Sequence, residues 1–348
     1  MRRTWGWLLG TAAVLGAGGA EATIVAPGFT VGELVTPGIA TGGVEVVGGA
    51  VLVGVGPFGG ATQSVVRIDG SGATTIANGF NGLSGFAYDA VNDRLLVGDN
   101  SLEAPGSETG DTVYGIAQPL SAPGAPVRAR DVELLPAGTI HGVADLVLDP
   151  NDATGRSLFV SDSFFPFPGP ADGKLWSVDD GLHAAAVLQS GLGYSSGLAA
   201  TVATLFLGDV DASTFTGNVF AVPLPDGSGA RASFLSGLAG LSDLRIASDG
   251  SLLAVASAFG GDSLVLRIDP LTADTTVLAS GFDFATALAE ENGVIYVIEG
   301  GFTAGNRVWT LTPIPEPATA AAVAFGCLVL AAHRRAQPRR PGWAGRGR

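Results

Sequence analysis

The sequence predicts an all-β fold, a six-bladed β-propeller, from three observations. Of 348 residues, 53 are Gly and 20 are Pro; glycine disfavours helices by about 1 kcal/mol relative to alanine and supplies the positive φ of tight hairpins. A closing phrase recurs as GATTIANGF (Gly72 to Phe80), AAAVLQSGL (Ala184 to Leu192), RASFLSGL (Arg231 to Leu238) and DTTVLASGF (Asp274 to Phe282). The last unit lacks this phrase, while TIVAPGF, starting at Thr23, matches it.

Taken in order, the chain opens on MRRTWGWLLGTAAVLGAGGAEA, which reads as a signal peptide over residues 1–22. Arg2 and Arg3 form its positive region, Trp7 to Val14 its apolar stretch, and Ala20-Glu21-Ala22 a small-x-small cleavage site. At Thr23 the pattern turns abruptly β-like, and the propeller body is expected over residues 23–313.

Each unit of the body is expected to hold four strands. A short entry strand (LSGFAYD, VADLVLD, LSDLRIA) precedes an aliphatic one (AVLVGVG, RLLVGDN, SLFVSDS, TLFLGDV, LLAVASA, VIYVIEG). The third strand is SVVRID, KLWSVD, NVFAVP or LVLRID, and the closing phrase is fourth. Four short strands repeating in this way are the pattern of propeller blades. The units span 40–80, 81–140, 141–192, 193–238, 239–282 and 283–313. TIVAPGF is expected to supply the missing outer strand of the last unit, closing the ring and removing exposed edges. An open sandwich or solenoid would share the hairpin pattern but leave that matching fragment unexplained.

Residues 314–348 read as a C-terminal sorting signal. Pro315, Glu316 and Pro317 precede an apolar run over residues 318–332, at the short limit of a single transmembrane helix, and Arg334 and Arg335 follow it. Basic residues there hold that end in the cytoplasm and leave the body outside. This order resembles the PEP-CTERM sorting signal of Gram-negative, exopolysaccharide-producing bacteria, departing from it in the extension AQPRRPGWAGRGR. The resemblance implies export by the Sec machinery, recognition of the Pro-Glu-Pro motif by an exosortase, membrane attachment before processing of the tail, and a mature protein at the outer surface or in the extracellular matrix.

The formal net charge is −14. Without the two terminal segments, 10 basic residues face 30 acidic ones, a net charge near −20 that argues against a nucleic-acid partner. Such a body suits a solvated surface protein, a cation binder or an acid-rich proteome alike. Cys327, the single cysteine, lies in the apolar tail, so the body has neither disulfide nor thiol chemistry.

Aligning the second strands brings Asp99, Asp162, Asp209 and Glu299 to one position, with Val55 and Ser257 in the other two units. If that ring lines the channel or its mouth, these carboxylates are candidates to hold Ca²⁺ or another divalent cation, or to raise one another's pKa for acid and base work. An Asp at a strand end also commonly bonds the backbone of the following turn, and the GDN and SDS contexts favour that role. The unit phrases resemble six-bladed NHL and gluconolactonase-like propellers. The latter hold a divalent metal with a Glu, an Asn and an Asp on channel-facing loops; no residue set here matches that pattern, so the resemblance carries fold alone. His141 and His183 have no metal-ligand partner at a recognised spacing, and there is no nucleophile elbow or phosphate-loop glycine spacing.

Two insertions are candidate binding elements: the acidic NSLEAPGSETGD (Asn100 to Asp111) and the aromatic FFPFPGPADG (Phe164 to Gly173). Phe164, Phe165 and Phe167 either meet a sugar or protein partner or fold onto a neighbouring blade. The sequence therefore points to an exported, non-enzymatic binding or structural propeller of the cell envelope or extracellular matrix, with exopolysaccharide or envelope proteins as partners and no required cofactor. The alternative is an extracellular metal-dependent lactonase or hydrolase acting at the channel.

Overall fold

The computed structural model describes residues 24–314, apart from 35, 37, 58–61, 101–111, 122–126, 129–139, 141, 164–172, 225–228, 258–261 and 301–306. The signal peptide, the sorting signal, His141 and the Phe164 loop lie outside the described residues. Among the described residues no helix is long and apolar enough to cross a membrane.

Two strands, β1 (Ile24–Val25) and β2 (Phe29–Leu34), precede the blades. Blade I is β3 (Ala40–Val47), β4 (Ala50–Val55), β5 (Gln63–Asp69) and β6 (Gly72–Phe80). Blade II is β7 (Leu83–Asp89), β8 (Arg94–Asp99) and β9 (Thr112–Ala117), followed by the short β10 (Val127–Arg128). Blade III is β11 (Val143–Leu148), β12 (Ser157–Asp162), β13 (Gly173–Asp179) and β14 (Ala184–Leu192). Blade IV is β15 (Tyr194–Ala200), β16 (Thr204–Val210), β17 (Gly217–Pro223) and β18 (Ala232–Leu238). Blade V is β19 (Asp243–Ile246), β20 (Leu252–Ala256), β21 (Asp262–Ile268) and β22 (Thr275–Asp283), and blade VI is β23 (Ala285–Glu291), β24 (Val294–Glu299) and β25 (Arg307–Pro313).

Within each blade the strands pair antiparallel in chain order. The first strands β3, β7, β11, β15, β19 and β23 touch their neighbours in turn, and β23 returns to β3, so the ring is closed. Six core clusters fill the six blade interfaces; at the closing one, Val53 and Val66 of blade I meet Ile298 and Val308 of blade VI. Second strands are buried along almost their whole length, as in SLFVSD of β12, because both of their faces meet a neighbouring blade. Outer strands alternate or face solvent, as in β14.

The recurring GF and GL of the closing phrase has a local cause. Gly79, Gly237 and Gly281 take positive φ (94°, 85° and 88°) and are skipped in the pairing of their outer strands, which makes each a bulge. The next residue, Phe80 or Phe282, is then turned fully into the core.

Closure differs from the expectation in detail. The outer strand of blade VI is β2, in the register Phe29↔Pro313 to Leu34↔Val308, and not TIVAPGF as a whole. Ile24 and Val25 of that phrase pair instead with Ser280 and Ala279 of β22, as a fifth strand on blade V. The glycine of the phrase, Gly28 (φ 100°), here turns the chain from one blade to the next rather than forming a bulge. Blade II also departs from the four-strand pattern: three of its strands are described, and β10 adds to β6 of blade I in parallel.

A Cβ at Gly79 would meet open space, so Gly79→Ala isolates the φ cost. Denaturant titration is expected to show a loss of about 1–2 kcal/mol. A chain starting at Ala40, lacking β1 and β2, leaves the β25 edge uncovered; a lower melting temperature and self-association in size-exclusion chromatography are expected.

Candidate functional site

The second strands end, and the first and third strands begin, at one end of the ring, the crossover end, while the other end carries hairpins. The four strand-end carboxylates lie on this crossover end, one strand out from the channel, and all are buried. Their partners show what they do there. Asp99 accepts hydrogen bonds from the Asn81 and Gly82 N–H groups, both at 2.8 Å. Glu299 accepts the Asp283 N–H at 2.7 Å, and Asp209 accepts the Gly193 N–H. Each of these three thus holds the crossover that enters its own blade, rather than the turn that follows it. Asp162 accepts the Trp176 indole N–H at 2.9 Å, and Glu299 accepts that of Trp309 at 2.6 Å.

The acids have a second regularity. Opposite the residue two before each acid, the third strand carries Tyr114, Trp176, Phe220 or Trp309. Blades I and V, with Val55 and Ser257 in place of the acid, carry Val66 and Val265 there. A hard cation takes six to eight oxygens, yet the ring is not brought together at one point. Among the described residues no three Asp, Glu, His or Cys side chains converge on a common metal position. His183 sits exposed in the β13–β14 hairpin, at the opposite end of the ring.

The charge cluster inside the channel comes from other residues. Arg245, on β19, donates to both carboxylate oxygens of Asp145 on β11 (3.0 and 3.3 Å) and to the carbonyls of Phe86 (3.3 Å) and Leu198 (3.4 Å). Asp243 lies 3.5 Å from the same guanidinium. Asp145 also accepts the Leu198 N–H at 2.7 Å, and Asp243 accepts that of Leu288 at 2.8 Å, so each acid reaches across to the next blade. Glu45 does the same toward the backbone of Tyr88. Glycine makes the close approach possible: a Cβ on Gly85 would lie 2.0 Å from an Asp145 oxygen, and one on Gly197 would lie 2.1 Å from the Leu244 nitrogen.

Burial pushes all three acids up, Asp243 to about 8, while Arg245 opposes that shift. Burial also works against the Arg245 charge, but Asp145, Asp243 and Glu45 hold it protonated beyond its ordinary range. The sequence carried a faint sign of this cluster: the recurring Asp of VADLVLD and LSDLRIA, and a lone Arg among the apolar residues of the latter.

Beside the channel mouth, on the crossover end, a cleft of about 180 Å³ is lined by Tyr194, Phe215, Leu241, Ser242, Ser257 and Phe284, among others. The Tyr194 and Phe215 rings lie 6.5 Å apart and 19° from parallel, forming one aromatic wall. Phe215 is held by a compact loop in which Asp211 accepts from the Ser213 and Thr214 N–H groups (both 2.9 Å) and from the Ser213 hydroxyl (2.6 Å). The Ser213 hydroxyl, with the backbone donors, lowers the Asp211 pKa to about 2. Asp209 and Glu299 clamp the backbone immediately before Tyr194 and Phe284.

No protein-family model and no curated protein matches the chain. Solved structures do resemble it. A luciferin-regenerating enzyme superposes with a TM-score of 0.61 at 13% identity, covering 83% of this chain and 96% of that one. The calcium-binding protein regucalcin from Agrobacterium tumefaciens gives 0.56 at 13%, covering 83% and 96%. The PQQ-bound aldose sugar dehydrogenase from Streptomyces coelicolor gives 0.57 at 17%, covering 83% and 99%. Likeness at these identities shows the six-bladed propeller fold, on which several chemistries are built.

The channel cluster sets a pH dependence. A carboxyl whose folded pKa is raised binds its proton more tightly when folded, so its stabilisation is complete below the unfolded value near 4. That stabilisation is lost as pH rises toward the folded value, here about 8 for Asp243. Melting temperature is expected to fall between pH 4 and pH 8, and Asp243→Asn, which has no such proton to lose, is expected to flatten that slope.

Proposed function

We propose that this chain is an exported propeller of the cell envelope or extracellular matrix that works by binding, through its crossover end, to an exopolysaccharide or an envelope protein. The observation that carries this reading is the aromatic cleft: half-exposed rings on short, well-braced segments of a rigid ring, the arrangement expected of a preformed recognition surface. The export half of the reading rests on the signal-peptide pattern and on the resemblance of Pro315, Glu316, Pro317, Arg334 and Arg335 to the PEP-CTERM signal. An acidic body suits a solvated surface location and disfavours anionic partners.

Both halves can be tested in a host that has an exosortase. The wild-type chain is expected at the cell surface or in the medium with its tail processed, and the variant with Pro315, Glu316 and Pro317 changed to Ala is expected to stay unprocessed in the membrane fraction. Purified full chain is expected to be retained on immobilised envelope polysaccharide or envelope proteins. Metal-dependent turnover of lactones, abolished by EDTA and restored by Ca²⁺, would overturn the binding reading in favour of a hydrolase.

A further inference from the structure

The cleft allows the ligand class to be named, an inference that rests on the binding reading above. We propose that the Tyr194, Phe215 and Phe284 cleft takes one neutral pyranose ring of a polysaccharide. Four observations converge on this.

The first is backbone conformation. Among the described residues seven non-glycine residues have positive φ: Asp93, Gln118, His183, Phe215, Ala273, Phe284 and Asn292. Five of them lie in turns at the hairpin end of the ring, where left-handed geometry is turn chemistry. The other two are both phenylalanines, both at φ 55°, and both line the cleft on the opposite end. Glycine would take this conformation without cost, whereas a bulky side chain there is strained. Local backbone conformation therefore disfavours an aromatic ring at either position, and Phe215 is 39% exposed.

The second observation is charge. Among the described residues no charged side chain lines the cleft. Asp209, Asp211, Asp283 and Glu299 adjoin lining residues or the segments that carry them, in a chain of net charge −14. A uronate, a phosphate group or an anionic lipid headgroup would meet like charge there, while a neutral ligand would not.

The third is size. A volume of about 180 Å³ equals about six water molecules at ~30 Å³ each, room for a single six-membered ring and too little for a helix or a strand of side chains.

The fourth is chemistry. Blade IV supplies a wall of two near-parallel rings, Phe284 comes from the blade VI side, and Ser242 and Ser257 lie between them on blade V. A pyranose has an apolar C–H face that meets the negative face of an aromatic ring and an equatorial rim of hydroxyls for polar neighbours. Asp211 acts as a positioning residue by fixing the loop that presents Phe215.

The test is saturation-transfer NMR on the purified full chain with methyl β-glucopyranoside and cellotetraose as neutral probes and a galacturonate oligomer as the anionic one. The wild type is expected to saturate the C–H faces of the neutral probes and not the galacturonate. Phe215→Gly and Phe284→Gly relieve the strained φ, so their melting temperatures are expected to stay within a few degrees while affinity for cellotetraose falls about tenfold. Phe215→Trp is expected to restore binding. If either glycine variant fails to fold, Phe215→Asn, a residue that tolerates this conformation, carries the same test.

Binding that persists undiminished in the glycine variants, or galacturonate that binds as well as cellotetraose, overturns the inference. If the wild type ignores all three probes yet is retained on envelope material, the inference fails and the binding reading stands. If it is retained on nothing, both fail.

Discussion

Four of the six inner strands meet at one buried cation. The Arg245 guanidinium touches the Phe86 carbonyl of blade II, the Asp145 carboxylate of blade III, the Leu198 carbonyl of blade IV and Asp243 of its own blade V, so four blades are referenced to a single planar group. Its side chain is 14% exposed, and those of Asp145 and Asp243 are 4% and 5% exposed. Charges this buried depend on their partners, because removing one partner from such a group typically costs about 3–5 kcal/mol. Three acids face one base, and burial resolves the imbalance by favouring the protonated carboxyl of Asp243. The fixed fork of arginine suits this role, since it bonds a carboxylate and three carbonyls at once without being able to lose its proton.

That central group constrains what surrounds it. The inner strands must approach closely enough for Asp145, Asp243 and Glu45 to bond across blades, and glycine at 85 and 197 permits that approach where any Cβ would collide. The aromatic cleft lies on the crossover end of the same ring. Asp99, Asp209 and Glu299 act one strand further out, each fixing the crossover into its own blade through its N–H groups. Two of those clamps, Asp209 and Glu299, lie directly behind Tyr194 and Phe284. Scaffold and cleft are thus linked through hydrogen bonds rather than through apolar packing alone, and the cleft inherits the rigidity of the ring.

Closure works on the same economy of short pieces. The N-terminal segment covers the exposed edge of β22 with two residues and that of β25 with six, and Gly28 makes the step between them. Ring closure and the added strands cover the outer edges of blades V and VI, which matters for a protein read as working outside the cell without a disulfide in its body.

The sequence by itself determined the strand repeat, the unit boundaries and the use of the N-terminus to complete the last blade, because strand periodicity, turn glycines and the bulge phrase are local and recur. It also aligned Asp99, Asp162, Asp209 and Glu299, since equivalent positions in a repeat are visible in one dimension. The direction of those carboxylates was a different matter. Whether a strand-end acid points to the following turn, to the channel or back to the preceding crossover depends on how two blades pack, and the structure selects the crossover. The division of TIVAPGF between two blades was hidden for a related reason: Gly28 matches the bulge glycines in sequence and differs in what lies on either side of it in space. Arg245, Asp145 and Asp243 are up to 100 residues apart, and Tyr194, Phe215 and Phe284 come from three separate connections, so no local pattern joins them. Only ring closure, which sets one blade against the next around a common axis, brings either group together.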